Sequence, residues 1–288
     1  MTQVREKQLA YSELQARMLD EEGRRQKARK IISILRYHLG VEDLSGLTVV
    51  DLGCSVGWFV EAAAVDGALA VGVDIDAPGL ARARRERDPR CAFISTDGEA
   101  LPFEDESVDV IVFNHIYEHV VDPDAVMSEI RRVLKPTGIA YLGFANRLGV
   151  VEPHYGLPFL SWLPQGLADR YIRASGQADT YYEQFRTLRG LRRLAGGLYV
   201  YDYSFTLVAN PEAFAAGDVV GDVAGAIGRR LGGRTRRWAR WLLPTYIWIA
   251  AKTPVRPAGT SLRPAPDPLA THLVMVPEGE TAQASSGR

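Results

Sequence analysis

One stretch near the start of the chain constrains the fold more than any other. It reads LTVVDLGCSVGWFV and covers residues 47–60. Apolar and β-branched residues lead into an acid, Asp51, and a glycine-containing turn and an apolar run of helical character follow. Gly53 and Gly57 let the backbone approach a ligand closely, because a Cβ there would obstruct it or forbid the dihedral angles. The stretch predicts a strand, a tight turn and a helix whose first N–H groups face a ligand.

A second acid, Asp74, ends a second predicted strand over residues 70–74. A carboxylate at this strand tip, beside a glycine turn at the tip of strand one, is where a nucleoside ribose is held through its two hydroxyls. A dinucleotide fingerprint is disfavoured, because no glycine stands three residues after Ser55. The run 53–57 also matches the nucleophile elbow of an α/β-hydrolase, but that fold needs several strands before the elbow, and residues 1–46 look helical.

The stretch resembles the first motif of the class I S-adenosylmethionine-dependent methyltransferases, which reads acid-x-Gly-x-Gly-x-Gly. Serine replaces the middle glycine here, so position 55 must have a negative φ or tolerate a small side chain. Three later segments are similar to family motifs: DGEALPF at 97–103, NHIYEHV at 114–120 and LKPTG at 134–138. The resemblance is strong over residues 45–145.

The resemblance implies that S-adenosyl-L-methionine binds at these strand tips and leaves as S-adenosyl-L-homocysteine. Asp74 would then hold the ribose, Asp97 the adenine amino group, and Asp51 the methionine end of the cofactor. An Asx-turn is the alternative interpretation of Asp97. The expected cofactor-binding residues are Asp51, Gly53, Ser55, Gly57, Asp74, Ile75, Asp97, Gly98, Glu99 and Asn114. No metal site is expected.

Three histidines are candidate catalytic bases, a role that is needed only if the acceptor must lose a proton. His115 and His119 follow predicted strand four, and His154 lies in the long segment after strand five. Polar scaffolding is the alternative role for each of them. Tyr11 and Arg24, in the predicted N-terminal helices, are expected on the surface or in packing contacts rather than in the site.

Alternating strands and helices predict an α/β fold. The resemblance implies a Rossmann-like, seven-stranded, mostly parallel sheet with helices on both faces, N-terminal helices and a cap insertion after strand five. Strand six is predicted over 198–207, and strand seven over 246–252, antiparallel at the sheet edge. The expected divisions are an N-terminal helical lid (1–45), the cofactor-binding core (46–145), a substrate cap (146–197), completion of the sheet (198–253) and a disordered tail (254–288).

Charge and composition narrow the class of partner. The net charge of −1 gives no reason to expect nucleic-acid binding. Cys54 and Cys91 cannot form a disulfide framework, and the charged N-terminus lacks an apolar run, which favours the cytoplasm. The arginine-rich segment 229–240 is either a solvated helix face or a contact with an anionic membrane.

We therefore expect a methyltransferase that acts on a small-molecule acceptor, with O-methylation favoured and a role in natural-product biosynthesis. Two alternatives keep the cofactor: a peripheral-membrane methyltransferase of a lipid-linked intermediate, and a cyclase-like enzyme. The α/β-hydrolase is a more distant alternative. The oligomeric state is not predicted.

Overall fold

The computed structural model describes Leu9 and residues 20–216, 232–259 and 262–269. Its strands are β1 (Thr48–Leu52), β2 (Leu69–Asp74), β3 (Ala92–Ser95), β4 (Val108–Asn114), β5 (Leu134–Ala145), β6 (Tyr199–Asp202), β7 (Thr245–Ala251) and β8 (Asp267–Leu269). Its α-helices are α1 (Glu21–Leu39), α2 (Trp58–Val65), α3 (Ala77–Glu86), α4 (Pro123–Val133), α5 (Gln165–Ala174), α6 (Leu188–Leu194), α7 (Ser204–Ala209) and α8 (Gly233–Ala239). The strands form one sheet in the order β3-β2-β1-β4-β5-β7-β6-β8.

The first five strands pair in parallel, with β1 between β2 and β4. The chain runs outward from β1 to β3 in one direction and from β4 to β5 in the other. The order of strands therefore reverses between β1 and β4, which is where open α/β sheets bind ligands, beyond the carboxyl ends of the strands. Strand β2 begins one residue before its predicted start and ends at the predicted residue, Asp74.

Each face of the sheet carries its own apolar core, because alternate side chains of a strand point to opposite faces. Along β4, Ile111 and Phe113 pack on one side with the buried residues of α4 and α6. Val110 and Val112 pack on the other side with the buried residues of α1 and α2. Helices thus cover both faces, as expected.

Helix α1 is the second of the two predicted N-terminal helices. The Asp20 side chain caps its start by accepting a hydrogen bond from the Gly23 N–H, and it ends at Gly40, which has φ +71°. Glycine adopts this left-handed conformation without the strain that a Cβ would impose, so it suits a helix C-terminus. The other predicted helix, with Tyr11, lies outside the described residues. Within the described part of the chain, no helix combines the length and apolar character needed to cross a membrane.

The second half of the sheet is antiparallel, and here the sequence-based prediction is wrong in two respects. Strand β7 pairs with β5 on one side and β6 on the other, so it lies inside the sheet rather than at its edge. Strand β6 ends at Asp202, and Tyr203 and Phe205 belong to the turn and helix that follow. The reason is an Asx-turn: a buried Asp202 oxygen accepts a hydrogen bond from the Ser204 N–H at 2.9 Å, and this turn leads the chain out of the strand and into α7.

The sheet has eight described strands rather than seven. Residues 267–269 form β8, which pairs with β6 and provides the edge. The expectation was a disordered segment from residue 254, and residues 267–269 differ from it. Their composition does not predict a strand, but backbone pairing with β6 orders them. Residues 270–288 lie outside the described residues.

Candidate active site

A cavity of about 390 Å³ lies beyond the carboxyl ends of β1, β2 and β4, between these strand tips and helix α1. Most of the residues singled out from the sequence border it. The predicted residues that line it are Asp51, Gly53, Ser55, Asp74, Ile75, Asp97, Glu99, Asn114, His115, His119 and His154. Gly57 and Gly98 do not line it. Gly57 instead begins α2 with φ +78°.

The turn after β1 has an unusual backbone at its serine. Ser55 has φ +47°, between Gly53 at +77° and Gly57 at +78°. Two conditions were predicted for the serine that replaces glycine at position 55. The negative φ is wrong, and the position instead accommodates a small side chain at positive φ. The backbone stays left-handed because the Ser55 N–H donates to the Asp74 carboxylate at 2.6 Å, which ties the turn to the tip of β2.

Asp51 and Asp74 lie on neighbouring strands and are both largely buried. Burial raises the pKa of Asp51 well above its ordinary value, the charge of Asp74 raises it further, and Arg24 opposes the rise. Burial likewise raises the pKa of Asp74, against the hydrogen bonds from the N–H groups of Asp76 and Ser55. A cation or hydroxyl donors in the cavity would stabilise the ionised form of both groups.

The segment after β3 brings two more acids, Asp97 and Glu99, to the cavity. The Asp97 side chain accepts a hydrogen bond from the Glu99 N–H at 3.1 Å, which is the Asx-turn alternative. Asp97 also borders the cavity, so the turn positions the carboxylate rather than removing it from the site. Asp76, which lines the cavity as well, caps α3 by accepting a hydrogen bond from the Gly79 N–H at 3.2 Å.

Helix α1 contributes cations that sequence reasoning missed or discounted. Arg24 and Lys27 line the cavity with Ala28 and Ile31. The expectation that Arg24 stays out of the site is therefore wrong. The residues at 24, 27, 28 and 31 follow the three-and-four spacing of one helix face, so the signal was present in the sequence. From sequence, this spacing indicated a helix face that packs on the sheet. In the structure the same face also borders the strand tips.

The loop after β4 begins with a second strained backbone and a buried acid. His115 has φ +56°, and its N–H donates to the Gly143 carbonyl at 2.8 Å. Its Nδ1 lies 3.4 Å from Oε1 of Glu118, whose side chain is fully buried. Burial lowers the pKa of His115 despite the hydrogen bond to Glu118.

The third histidine reaches the same place from the segment after β5. The Nε2 atoms of His119 and His154 lie 3.3 Å apart. The Nδ1 of His154 lies 2.9 Å from Oε1 of Glu152, another fully buried acid. Burial would lower the pKa of His154, but the bond to Glu152 and the charges of nearby acids outweigh it, so the pKa is raised. Sequence reasoning did not single out Glu152.

Comparison with known proteins relates this geometry to one family. A family model described as a methyltransferase domain matches residues 50–142. The chain is 31% identical over 184 residues to a ubiquinone biosynthesis O-methyltransferase of Idiomarina loihiensis, covering 57% of this chain and 72% of that protein. It is 36% identical over 115 residues to an uncharacterized methyltransferase of Mycobacteroides abscessus, covering 38% of this chain and 44% of that protein.

The chain spans less than half of the first two curated relatives, at 44% and 45% of their lengths. Among solved structures, it is similar to the plantazolicin methyltransferase BpumL in complex with a triazolic desmethylPZN analog and S-adenosylhomocysteine. That likeness has a TM-score of 0.50 at 16% identity and covers 80% of this chain and 85% of the other. At that identity it supports the fold alone.

Proposed function

This chain belongs to the class I S-adenosylmethionine-dependent methyltransferases, and we propose that it transfers a methyl group to the oxygen of a small-molecule acceptor. The observation that carries the proposal is one cavity with two chemically different walls. Asp51 and Asp74 lie on the wall made by the strand tips. His115, His119 and His154 lie on the wall made by the loops after β4 and β5. Family membership leaves no support for the hydrolase alternative.

The residues of the first wall fit the cofactor, S-adenosyl-L-methionine. The Oγ of Ser55 and the Nε1 of Trp58 are buried at the cavity, and neither has a hydrogen-bond partner within the described part of the chain. A ligand with polar groups would supply those partners. Each oxygen of Asp74 accepts one backbone N–H, from Ser55 or Asp76, and retains a lone pair for a ribose hydroxyl.

We assign roles along this wall by the order of the strands. Asp74 would hold the ribose, with Ile75 against the adenine face and Asp97 on the adenine amino group. Asp51 would lie at the positively charged methionine end. The remaining proposed cofactor-binding residues are Gly53, Ser55, Gly57, Gly98, Glu99 and Asn114. We add Arg24 of α1, which lies close enough to Asp51 to lower its pKa and would suit the methionine carboxylate.

The second wall is where we propose that the acceptor loses its proton. The bound cofactor supplies a methyl group already activated on a sulfonium, so the protein must orient a nucleophile and exclude water. An alcohol or phenol also needs a proton acceptor. His154 is our first candidate, because Glu152 accepts from its Nδ1 side and leaves Nε2 toward the cavity. His115 and His119 are the other candidates.

The division of labour along the chain is part of the proposal. Residues 46–145 would bind the cofactor and 198–253 complete the sheet. Residues 1–45 would act as a lid, since α1 borders the cavity. Residues 146–197 would act as the substrate cap. Two observations support the cap assignment. His154 lies at the cavity. The Tyr117 hydroxyl donates to the Ala145 carbonyl and accepts a hydrogen bond from the Arg186 N–H, which joins the loop after β4 to this segment.

Calorimetric titration with S-adenosylhomocysteine tests the ribose assignment. We expect Asp74→Asn to raise the dissociation constant at least about tenfold, because a hydrogen bond to a charged group contributes about 1.5 to 3 kcal/mol. Asp109→Asn is the matched control: Asp109 is a strand aspartate that pairs with Lys135 at 2.8 Å and does not line the cavity. Its affinity should stay within about twofold of the wild type. Equal affinities for all three proteins would refute the ribose assignment.

The mass of the reaction product tests the cyclase-like alternative separately. A product with no added methyl group would favour that alternative.

A lipid-linked acceptor is the second candidate, favoured by one exposed surface. Trp238 is 77% exposed and Leu242 is 50% exposed, beside the exposed Arg234 and Arg237 of α8. Aromatic and basic residues together are typical of contacts with an anionic membrane surface. Arg240 is excluded from this role by its ion pair with Asp202 at 3.1 Å. Residues 229–231 lie outside the described residues.

Sedimentation with vesicles containing phosphatidylserine tests the lipid candidate. If the surface binds membrane, the wild type should sediment with these vesicles at low salt, and Trp238→Ala combined with Arg237→Ala should not. Vesicles of phosphatidylcholine alone serve as the control for charge. Equal sedimentation of the wild type and the double variant would refute the lipid candidate.

A further inference from the structure

Three side chains at the acceptor wall converge on one point. Glu118 and His119 lie in the loop after β4, and His154 lies in the segment after β5. One oxygen or nitrogen from each of the three lies within 4.8 Å of the other two. Glu118 is fully buried, whereas His119 and His154 are partly exposed and line the cavity. Two imidazoles and one carboxylate are a donor set that divalent transition metals prefer in proteins.

The distances within this cluster fit a shared metal ion. The Nε2 atoms of His119 and His154 are 3.3 Å apart. Two nitrogens bound tetrahedrally to Zn²⁺ at about 2.0 to 2.1 Å lie about 3.3 to 3.4 Å from each other. Oε1 of Glu118 lies 3.8 Å from Nε2 of His154. Because the three donor atoms lie within 4.8 Å of one another, an inward shift of the Glu118 carboxylate would complete three protein ligands around a tetrahedral centre.

The contacts behind His154 orient it as a metal ligand. Oε2 of Glu152 accepts the backbone N–H groups of His154 and Tyr155, at 2.8 and 2.6 Å, so the carboxylate is fixed in an accepting role. Its Oε1 then takes a hydrogen bond from Nδ1 of His154, and the Nε2 lone pair of the neutral ring points to Glu118 and His119. Phe185 stacks on the imidazole with ring centroids 5.6 Å apart. A carboxylate behind a histidine is the usual outer support of metal-binding imidazoles.

We propose that Glu118, His119 and His154 bind one divalent transition-metal ion such as Zn²⁺, with its remaining coordination position open to the cavity. Three protein ligands and one open position are typical of catalytic rather than structural sites. Motif spacing does not reveal this site, because His119 and His154 are separated by 35 residues and meet only through the fold.

The metal site extends the proposed function. A catalytic role for the ion rests on that function, the O-methylation of a small-molecule acceptor. An acceptor hydroxyl at the open position would bind the ion through oxygen, which lowers the pKa of that hydroxyl. Its O–H bond would break and the proton would pass to solvent. The electron pair left on oxygen would form the new O–CH₃ bond while the S–CH₃ bond of the cofactor breaks, and the electron pair of that bond would stay on sulfur in the product S-adenosyl-L-homocysteine. The ion would take over the role of the histidine base, since both Nε2 atoms are coordinated.

Metal binding is tested on the full chain without any assay of methyl transfer. The protein is stripped with a chelator, dialysed, and titrated with ZnSO₄ by calorimetry and with CoCl₂ by visible absorption. We expect one ion per chain and Co²⁺ bands of a four- or five-coordinate site. His119→Ala and His154→Ala should each reduce affinity by more than the roughly 10- to 100-fold loss expected for Glu152→Gln, which removes only the outer support.

His38→Gln is the control for loss of a histidine elsewhere, since His38 contacts Tyr203 and Val255 rather than this cluster. Circular dichroism establishes that each variant is folded. Absence of a one-to-one site in the wild type, or equal affinity in His154→Ala, overturns the metal site. Titration of the same samples with S-adenosylhomocysteine keeps the two proposals apart. Cofactor binding without metal binding refutes only the metal site, and metal binding without cofactor binding refutes only the proposed function.

Discussion

At the scale of single residues, the site is built on backbone that most side chains avoid. Ser55 and His115 both have positive φ, at +47° and +56°, and both lie at the tips of strands that border the cavity. Such conformations cost of order 1 to 3 kcal/mol and persist where surrounding contacts enforce them. Here the enforcing contacts are the Asp74 carboxylate and the Gly143 carbonyl. Both therefore place local strain where the ligand is proposed to bind.

A buried histidine far from the site sets a prediction for stability against pH. His38 is 1% exposed, with Nδ1 2.8 Å from the Tyr203 hydroxyl and Nε2 2.9 Å from the Val255 carbonyl. Burial lowers its pKa from 6.5 to about 4, despite the bond to Val255. The unfolded chain binds this proton more readily than the folded one. The contribution of neutral His38 to the free energy of unfolding is therefore complete above pH 6.5 and is lost as the pH falls from 6.5 toward 4.

Urea unfolding of the wild type and His38→Gln at pH 7.5 and 4.5 measures this effect. At pH 7.5 the variant should be less stable by about 1 to 3 kcal/mol, because it loses buried hydrogen bonds. On going to pH 4.5 the wild type should lose about 2 to 3 kcal/mol more than the variant, which has no group to titrate there. Parallel losses in the two proteins would show that His38 is protonated alike in the folded and unfolded states.

At the scale of elements, the junction of β6 and α7 depends on one acid. Asp202 is 2% exposed, accepts the Ser204 N–H in an Asx-turn just before α7 and pairs with Arg240 at 3.1 Å. Arg240 also pairs with Asp267 of β8. The aromatic alternation at 199, 201, 203 and 205 predicted a longer strand, but Tyr203 and Leu207 are also four apart, which suits a helix. The Asx-turn at Asp202 decides between the two periods, and Arg240, which pairs with its carboxylate, is too far along the chain for local patterns to reveal.

Two substitutions separate the Asx-turn at Asp202 from its ion pair with Arg240. Asp202→Ala removes both and leaves Arg240 short of one partner, so the free energy of unfolding should fall by about 3 kcal/mol or more. Asp202→Asn keeps an oxygen for the Ser204 N–H and should lose less. Glu106→Gln, which breaks the exposed pair with Lys252, is the control and should change stability by less than about 1 kcal/mol. Thermal or urea unfolding gives all three values, and identical losses for the alanine and asparagine variants would exclude a role for the Asx-turn hydrogen bond.

At the scale of the whole molecule, what could be predicted from sequence is what local chemistry encodes. Strand, glycine turn and acid recur together at the tips of β1 and β2, so the fold class and most of the cavity's first wall followed from residues 47–74. The strand count, the inner position of β7 and the Glu118–His119–His154 cluster did not follow. Each depends on contacts between segments far apart in sequence, which periodicity and motif spacing do not record.

The inner position of β7 fixes when this sheet can be completed. Strand β7 supplies the seven residues that pair with β5 along Ile139–Ala145 and also gives β6 a neighbour. While the polypeptide emerges from the ribosome, β5 therefore keeps an exposed edge until residue 251 is available. During synthesis, about a hundred residues separate the parallel half from the strand that closes it, an interval in which a chaperone or a foreign strand could occupy that edge.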